Sequence, residues 1–432
     1  MKTKDSFFLT NCRLIDVANG TVMENASVRV KDGTIAGFGQ NMGWNRNEEV
    51  IDLKGAYLCP GLIDAHVHLF GNGVPKKIIA TKGNGQKRLV KFAATKLGQA
   101  VLHHLAKASL IQSLRSGTTT VRSLGDLHYA DAWAKKAMGE NRFLGSKLLS
   151  SGYAVTTKNG HGVGSISLGC ESKEDFLAAI DENIAHGCDW VKLMVTSGAM
   201  DAMDGEIPGA PRMSLEQIRW CVDYAHGKGF RVSAHCESSP GVEICLQGGV
   251  DTIEHGAILD QSMLDRLSLG KSRIITTLSP ALPAALLGKE VSKYSEGQVK
   301  AVETIYQGIA SSAKSCHDLG LQVGLGTDAS CPFSLHSTMW REICFFKKVT
   351  DCTNAEALYA GTLGNATILG IASSCGSISL GKDADLIVLK GNPLEDLRFL
   401  GDVQMTFVRG RMNRKKPKRY RKIERSLDAL IG

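Results

Sequence analysis

Long apolar runs are missing from this 432-residue chain. No stretch approaches the roughly 20 residues that a membrane-spanning helix needs, so no membrane partner is expected. No secretory leader is expected either, because Met1–Ser6 is polar and Phe7–Leu9 is too short to form an apolar leader core. Paired cysteine motifs are absent. The 12 cysteines are scattered without a Cys-x-x-Cys, and Cys221, Cys236 and Cys245 sit in apolar patterns. That distribution excludes a disulfide scaffold and points to reduced core thiols in a cytoplasmic protein. A phosphate-binding fingerprint is lacking too: Gly71–Gly85 carries Lys76, Lys77 and Lys82 but no Gly-Lys-Ser/Thr.

Acidic charge is scarce only at one end. Between Arg409 and Arg425 there are 10 basic residues and a single acid, Glu424, which leaves 41 basic against 42 acidic residues elsewhere. The net charge of +8 therefore belongs to a tail, and the body is neutral. With Tyr420 as its one aromatic, the tail reads as a helix packed on the body, and no nucleic-acid partner is expected.

What the chain does contain is organised around Pro60–Phe70 (Pro-Gly-Leu-Ile-Asp-Ala-His-Val-His-Leu-Phe). Residues two apart on a strand face the same way, so His66 and His68 present parallel imidazoles, half of a metal site. Upstream, Phe7–Val17, Ala26–Lys31, Thr34–Phe38 and Val50–Tyr57 alternate apolar and polar residues, with turn signals at Asn19-Gly20 and Asp32-Gly33. Ala384–Lys390 and Val403–Arg409 repeat that pattern at the other end.

Between them, eight strand-like runs alternate with helical periodicity: Leu62–His68, Thr118–Leu124, Lys147–Ala154, Trp190–Val195, Arg231–Cys236, Asp251–His255, Arg273–Leu278 and Gln322–Thr327. Helices are expected over Val90–Ser116, Lys173–His186, Ser214–Lys228 and Gly297–Leu319, with starts marked at Ser172 and by Ser214 with Gln217. The expectation is an α/β chain: a (β/α)8 TIM barrel over residues 60–373, with a small β-sandwich domain built from residues 1–59 and 374–432. An open doubly wound sheet is the alternative. In a barrel, functional groups sit at the C-terminal strand ends. That filter selects His66 and His68, Lys192, His235, His255 and Asp328.

These strings resemble the amidohydrolase superfamily, in its dipeptidase, carboxypeptidase and imidazolonepropionase-like branch. The resemblance rests on the Pro60–His68 string, Gly117–Arg122, Trp190–Met194, Val232–His235, Thr252–Gly256 (Thr-Ile-Glu-His-Gly), Gly324–Asp328 (Gly-Leu-Gly-Thr-Asp) and Gly376–Leu389. It implies two divalent ions, with zinc expected: His66, His68 and Asp328 would hold one, His235 and His255 the other, and Lys192 would bridge them as a CO2-derived carbamate. A single ion with Lys192 unmodified, or Lys192 paired to a carboxylate, is the alternative. Asp328 would also shuttle the proton. His161, in Asn159-Gly160-His161-Gly162, would contact a substrate carboxylate or the developing oxyanion. Arg122, Tyr153 and His336 are secondary candidates, each with a structural reading: a salt bridge, wall packing and a surface role. The remaining histidines read as structural.

The resemblance implies hydrolysis of an amide C–N bond in a dipeptide or N-acyl amino acid, by a homo-oligomer. The chain departs from the pattern at Cys236-Glu237-Ser238, where a Glu near the mouth disfavours a free carboxylate and keeps small carbamates, ureas and other non-peptide amides in play. A non-catalytic barrel that only binds ligand is the remaining alternative.

Overall fold

Alternation at both chain ends builds one sheet, seen in a computed structural model that describes residues 6–75, 84–198, 208–287, 291 and 295–431. Its first five strands are β1 (Phe7–Asp16), β2 (Thr21–Lys31), β3 (Thr34–Gln40), β4 (Val50–Asp52) and β5 (Tyr57–Pro60). The β2–β3 hairpin turns at Asp32-Gly33, both with positive φ (50° and 79°), the pairing a two-residue turn favours.

The central block supplies β6 (Leu62–Val67), β7 (Thr118–Ser123), β8 (Lys147–Leu149), β9 (Ala154–Thr157) and β10 (Ser167–Cys170). It continues with β11 (Trp190–Met194), β12 (Arg231–Cys236), β13 (Thr252–His255), β14 (Arg273–Thr276) and β15 (Gly324–Leu325). The chain returns to the first sheet through β16 (Leu386–Leu389), β17 (Val403–Val408) and β18 (Arg411–Asn413).

The terminal sheet runs β18-β17-β16-β5-β1-β2-β3, with β4 also on β1. Leu386 pairs with Pro60 across the β5–β16 seam, so the two chain ends are hydrogen-bonded together. Phe7, Leu9, Leu58, Leu386 and Phe407 form its core.

The central strands are parallel, in the order β10-β9-β11-β12-β13-β14-β15 and β6-β7-β8. Strands β6, β7 and β11 through β13 are almost wholly buried, as expected where helices cover a parallel sheet. Backbone bonds link the two sheets at two places. Asp328 N donates to His66 O at 2.8 Å and His68 N to Ala329 O at 2.9 Å. At the other junction, Asp189 N and Trp190 N both donate to Ser150 O, at 2.7 and 3.1 Å. Register then aligns the strand ends: Met194 opposes His235, and Cys236 opposes His255.

Both expected helix starts are capping boxes, Ser172 with Asp175 and Ser214 with Gln217. The sequence reading needs three corrections. Val90–Ser116 is two helices, Asn84–Ala93 and Lys96–Arg115, because Thr95 caps the second and donates to Phe92 O at 2.7 Å. Gly98 permits that corner, since a Cβ there would lie 1.9 Å from Phe92 O. Lys147–Ala154 is likewise interrupted between β8 and β9: the Asp131 carboxylate accepts from Ser151 N and Gly152 N, and Gly152 takes φ 66°. Strand β10, absent from the eight expected runs, pairs with β9 in parallel.

The basic tail is folded. Arg421–Asp428 forms a helix whose Asp428 pairs with Arg341 at 2.7 Å, and Glu424 and Leu427 are buried. Lys76, Lys77 and Lys82 lie outside the described residues.

Candidate metal centre

Buried ionisable groups are costly unless they are paired or serve a function. The central strands converge a dense set of them at one end. His66 lies on β6 and His68 one residue past it, while Asp328 follows β15. Asp328 Oδ1 sits 3.6 Å from His66 Nε2 and 3.2 Å from His68 Nε2. A second group joins His235 at the end of β12 and His255 at the end of β13 with Glu237. Within each group the ligand atoms lie within 4.8 Å of one another. The groups adjoin: the ring centroids of His66 and His255 are 5.0 Å apart, and those of His235 and His255 4.6 Å.

Local packing fixes each imidazole. His66 Nδ1 meets Glu254 Oε2 at 2.9 Å, His68 Nδ1 meets Gly125 O at 2.7 Å, and His255 Nδ1 meets Thr277 Oγ1 at 2.7 Å. The Gly125 carbonyl can only accept, so His68 Nδ1 carries the proton and Nε2 presents its lone pair. Asp64 accepts from Thr327 N at 2.9 Å and His66 N at 3.3 Å, tying the Asp328 loop to the histidine strand. His255 and Asp328 both adopt left-handed backbone, φ 73° and 50°, a strained conformation typical of functional sites.

Electrostatics suit cation binding. Burial, assisted by the charge of Lys192, lowers His66 to about 4, and burial carries His235 and His255 well below the usual histidine range. All three are thus neutral near pH 7, the form that ligates metal. Burial alone would raise Asp328, but His68, 3.2 Å away, and the neighbouring imidazoles hold it well below the usual carboxylate range. Lys192 is fully buried, and burial lowers it to about 8. Its Nζ has no hydrogen-bond partner, and neither do His235 Nε2 and Asp328 Oδ1. Buried polar atoms left without partners mark where a group binds. The donor set, imidazole nitrogens and carboxylate oxygens, fits divalent cations of the zinc type.

The expected metal ligands and His161, that is His66, His68, His161, Lys192, His235, His255 and Asp328, line one cavity of about 840 Å3. His161 stacks on His235 with centroids 4.7 Å apart and planes within 12°. Two secondary candidates are structural. Tyr153 packs edge-on to Tyr129 at 5.1 Å, and its hydroxyl accepts from His128 N. His336 is buried rather than on the surface, with Nε2 3.1 Å from Gly71 O. Arg122 orients another group: fully buried, it donates to Glu254 Oε1 at 2.8 Å and lies over the Trp190 ring.

Sequence reasoning missed Glu254 and placed Glu237 only near the mouth. The signal for Glu254 lay in Thr-Ile-Glu-His-Gly itself, an acid inside a short apolar strand, which demands a buried cation such as Arg122.

Comparison with known proteins agrees with this geometry. A profile of the amidohydrolase family matches residues 57–412. The imidazolonepropionase of Salinispora arenicola is 26% identical over 382 residues, covering 85% of this chain and 86% of that protein. A crystal structure described as a candidate prolidase from Bifidobacterium longum superposes with TM-score 0.86 at 31% identity, over 99% of this chain and 100% of the other. A Xaa-Pro dipeptidase with bound methionine, at 24% identity and TM-score 0.83 over 95% of this chain and 100% of the other, shares the fold. The chain belongs to the amidohydrolase family and is a hydrolase acting on carbon–nitrogen bonds.

Proposed function

We propose that the protein is a metal-dependent amidohydrolase cleaving the amide C–N bond of a small molecule, on a (β/α)8 barrel of residues 60–373 with a β domain from residues 1–59 and 374–432. The observation that carries this reading is the pair of histidine–carboxylate groups that line one cavity with the buried Lys192, whose Nζ lacks a partner. His66, His68 and Asp328 would hold one divalent ion and His235 and His255 the other, zinc being the natural match to the donor set. Lys192 would bridge them as a carbamate. An ammonium facing two cations is repelled, whereas a neutral amine that captures CO2 becomes an anionic two-oxygen bridge. A lysine already lowered to about 8 supplies neutral amine for that capture.

Such ions activate water and polarise the scissile carbonyl. The chain's own residues do the rest. Asp328, ionised and facing both imidazoles of its group, accepts the proton that water releases as oxygen adds to the carbonyl carbon, and returns it to the leaving nitrogen. Acid and amine are the products. His161, flat against His235, would donate to the carbonyl side of the substrate.

Dipeptides and N-acyl amino acids are the first substrate class suggested by the relatives. Glu237 beside His235, Nε2 to Oε2 3.8 Å, favours a second class, carbamates, ureas and other non-peptide amides. Metal analysis of purified protein, combined with a hydrolysis screen of N-acyl amino acids, Xaa-Pro and Xaa-Lys/Arg dipeptides and aryl carbamates, tests the proposal. Two equivalents of divalent metal and release of amine are expected. A protein that purifies and reconstitutes without metal yet hydrolyses an amide would overturn it.

A further inference from the structure

Basic charge and exposed apolar side chains meet on one side of the molecule. Between Asp64 and Asp126 the sequence holds 10 lysines and arginines and no acid. That stretch includes the corner where the helix Asn84–Ala93 gives way to the helix Lys96–Arg115. Arg88, Lys91 and Lys96 are exposed there. Beside them Leu97 is 68% exposed, Leu89 51% and Phe92 42%. Apolar residues exposed singly need no explanation, but a group of them bordered by cations marks an interaction surface.

The outward stripe of the second helix carries this surface onward. Leu97, Ala100, Val101, His104 and Ala108 are exposed at spacings of three and four, so they share one face, and none is acidic. Gln112 lies on the same stripe, about 22 Å along the axis from Leu97. There the basic tail crosses the helix: Gln112 donates to Lys418 O at 2.7 Å and accepts from Lys418 N at 2.9 Å. The stripe therefore ends in a second basic cluster, in which Arg414, Lys415, Lys418, Arg421 and Lys422 are exposed. Glu424, buried and paired with Arg419, and Asp428, paired with Arg341, leave that excess in place.

An apolar strip with cations at both ends matches the surface of an anionic bilayer. Acyl chains take leucine and phenylalanine, and headgroups take lysine and arginine. A second copy of this chain fits poorly, because two-fold pairing of the strips would set basic clusters against basic clusters. Nucleic acid offers phosphates to the two ends and nothing to the apolar strip between them. The absence of a long apolar run excludes spanning, but a helix that lies on the surface needs no such run.

We propose that this side of the protein docks on an anionic lipid bilayer, with residues 88–97 seated at the headgroup layer and the tail held there by charge. Leu89, Phe92 and Val101 also line the cavity, so docking sets its mouth against the bilayer. Docking requires no turnover, and binding alone reads it out.

The test is flotation of the full-length protein with vesicles of phosphatidylcholine, alone or with about 30% phosphatidylserine. At least tenfold more protein should float with the serine-containing vesicles. Raising salt from about 0.1 to 1 M, which shortens the screening length from about 10 to 3 Å, should release most of it. Leu97→Asp, at a position already in water, should cut the bound fraction at least fivefold with an unchanged melting temperature. The double charge reversal Lys415→Glu with Lys418→Glu should do the same, and decides the matter if Leu97→Asp fails to fold. Equal or absent flotation with the two lipid compositions overturns the proposal, as does flotation that both variants leave intact. Two further results overturn it by giving the surface another occupant. One is retention on duplex DNA without vesicle binding. The other is a dimer in sedimentation that Leu97→Asp splits, again without vesicle binding.

Discussion

Replacing Glu254 by Gln should disable metal binding without touching a ligand. Glu254 accepts four hydrogen bonds: from His66 Nδ1 at 2.9 Å, Arg122 Nη2 at 2.8 Å, Ser233 Oγ at 2.7 Å and Thr252 Oγ1 at 2.6 Å. Arg122 and the charges around it hold Glu254 ionised, well below the usual carboxylate range, although burial opposes this. An ionised carboxylate only accepts, so His66 Nδ1 carries a proton and Nε2 offers its lone pair toward Asp328. In the glutamine variant the carbonyl oxygen is claimed by Arg122, Ser233 and Thr252, which leaves the amide NH2 facing His66. Two donors then collide unless the imidazole moves its proton to Nε2, and that move removes the lone pair a cation needs. Losing such an outer partner costs about 10–100-fold in metal affinity, or about 1.4–2.7 kcal/mol. Arg122 is also left buried without its counter-charge, a loss of about 3–5 kcal/mol in stability. Competition with a chromogenic chelator reads the first effect and urea unfolding the second. Metal affinity within twofold of wild type in a folded variant would refute the tautomer argument.

The other predictions concern the bridge, the shuttle and a buried acid away from the centre. Lys192→Ala should lose turnover and one equivalent of metal, with short carboxylic acids partly restoring rate; full activity with both metals rules out the bridge. Asp328→Asn should retain part of its metal but fall in kcat by about 10²–10⁴-fold, the usual worth of a positioned proton carrier, and near-normal kcat in a stopped assay removes that role. Glu342, pushed up to about 8 chiefly by burial, keeps its proton in the folded state where the unfolded chain has lost it. Unfolding then releases a proton between about pH 4.5 and 8, so stability should fall as pH rises through that window. Glu342→Gln should flatten the fall in Tm between pH 5 and 8, and an unchanged slope by calorimetry sends the effect elsewhere.

The centre was legible because strand ends announce themselves. His68, His235, His255 and Asp328 stand at or just past the ends of short strands, and the parallel pairing of neighbouring strands brings such ends together. Partners that act sideways were harder to see. Glu254 looks like an interruption of β13 until Arg122 on β7 is known to face it, and that contact spans 132 residues. The break in Val90–Ser116 was hidden because apolar spacing continues through Thr95, and only the cap and the glycine contact reveal the corner. For His336 the sequence left a site role and a surface role open, because its burial rests on a contact with the carbonyl of Gly71, 265 positions away.

The seam between β5 and β16 has a consequence for biosynthesis. Strand β5 leaves the ribosome early, yet its neighbour Leu386–Leu389 lies roughly 330 residues downstream. At about 5–20 residues per second, the nascent sheet presents an unzipped edge for some 15–65 s. During that interval β5 exposes free amides and carbonyls, an invitation to intermolecular pairing that only holdase chaperones or rapid translation can limit. Recombinant yield should therefore depend on translation speed through the middle of the message more than on the stability of the finished fold.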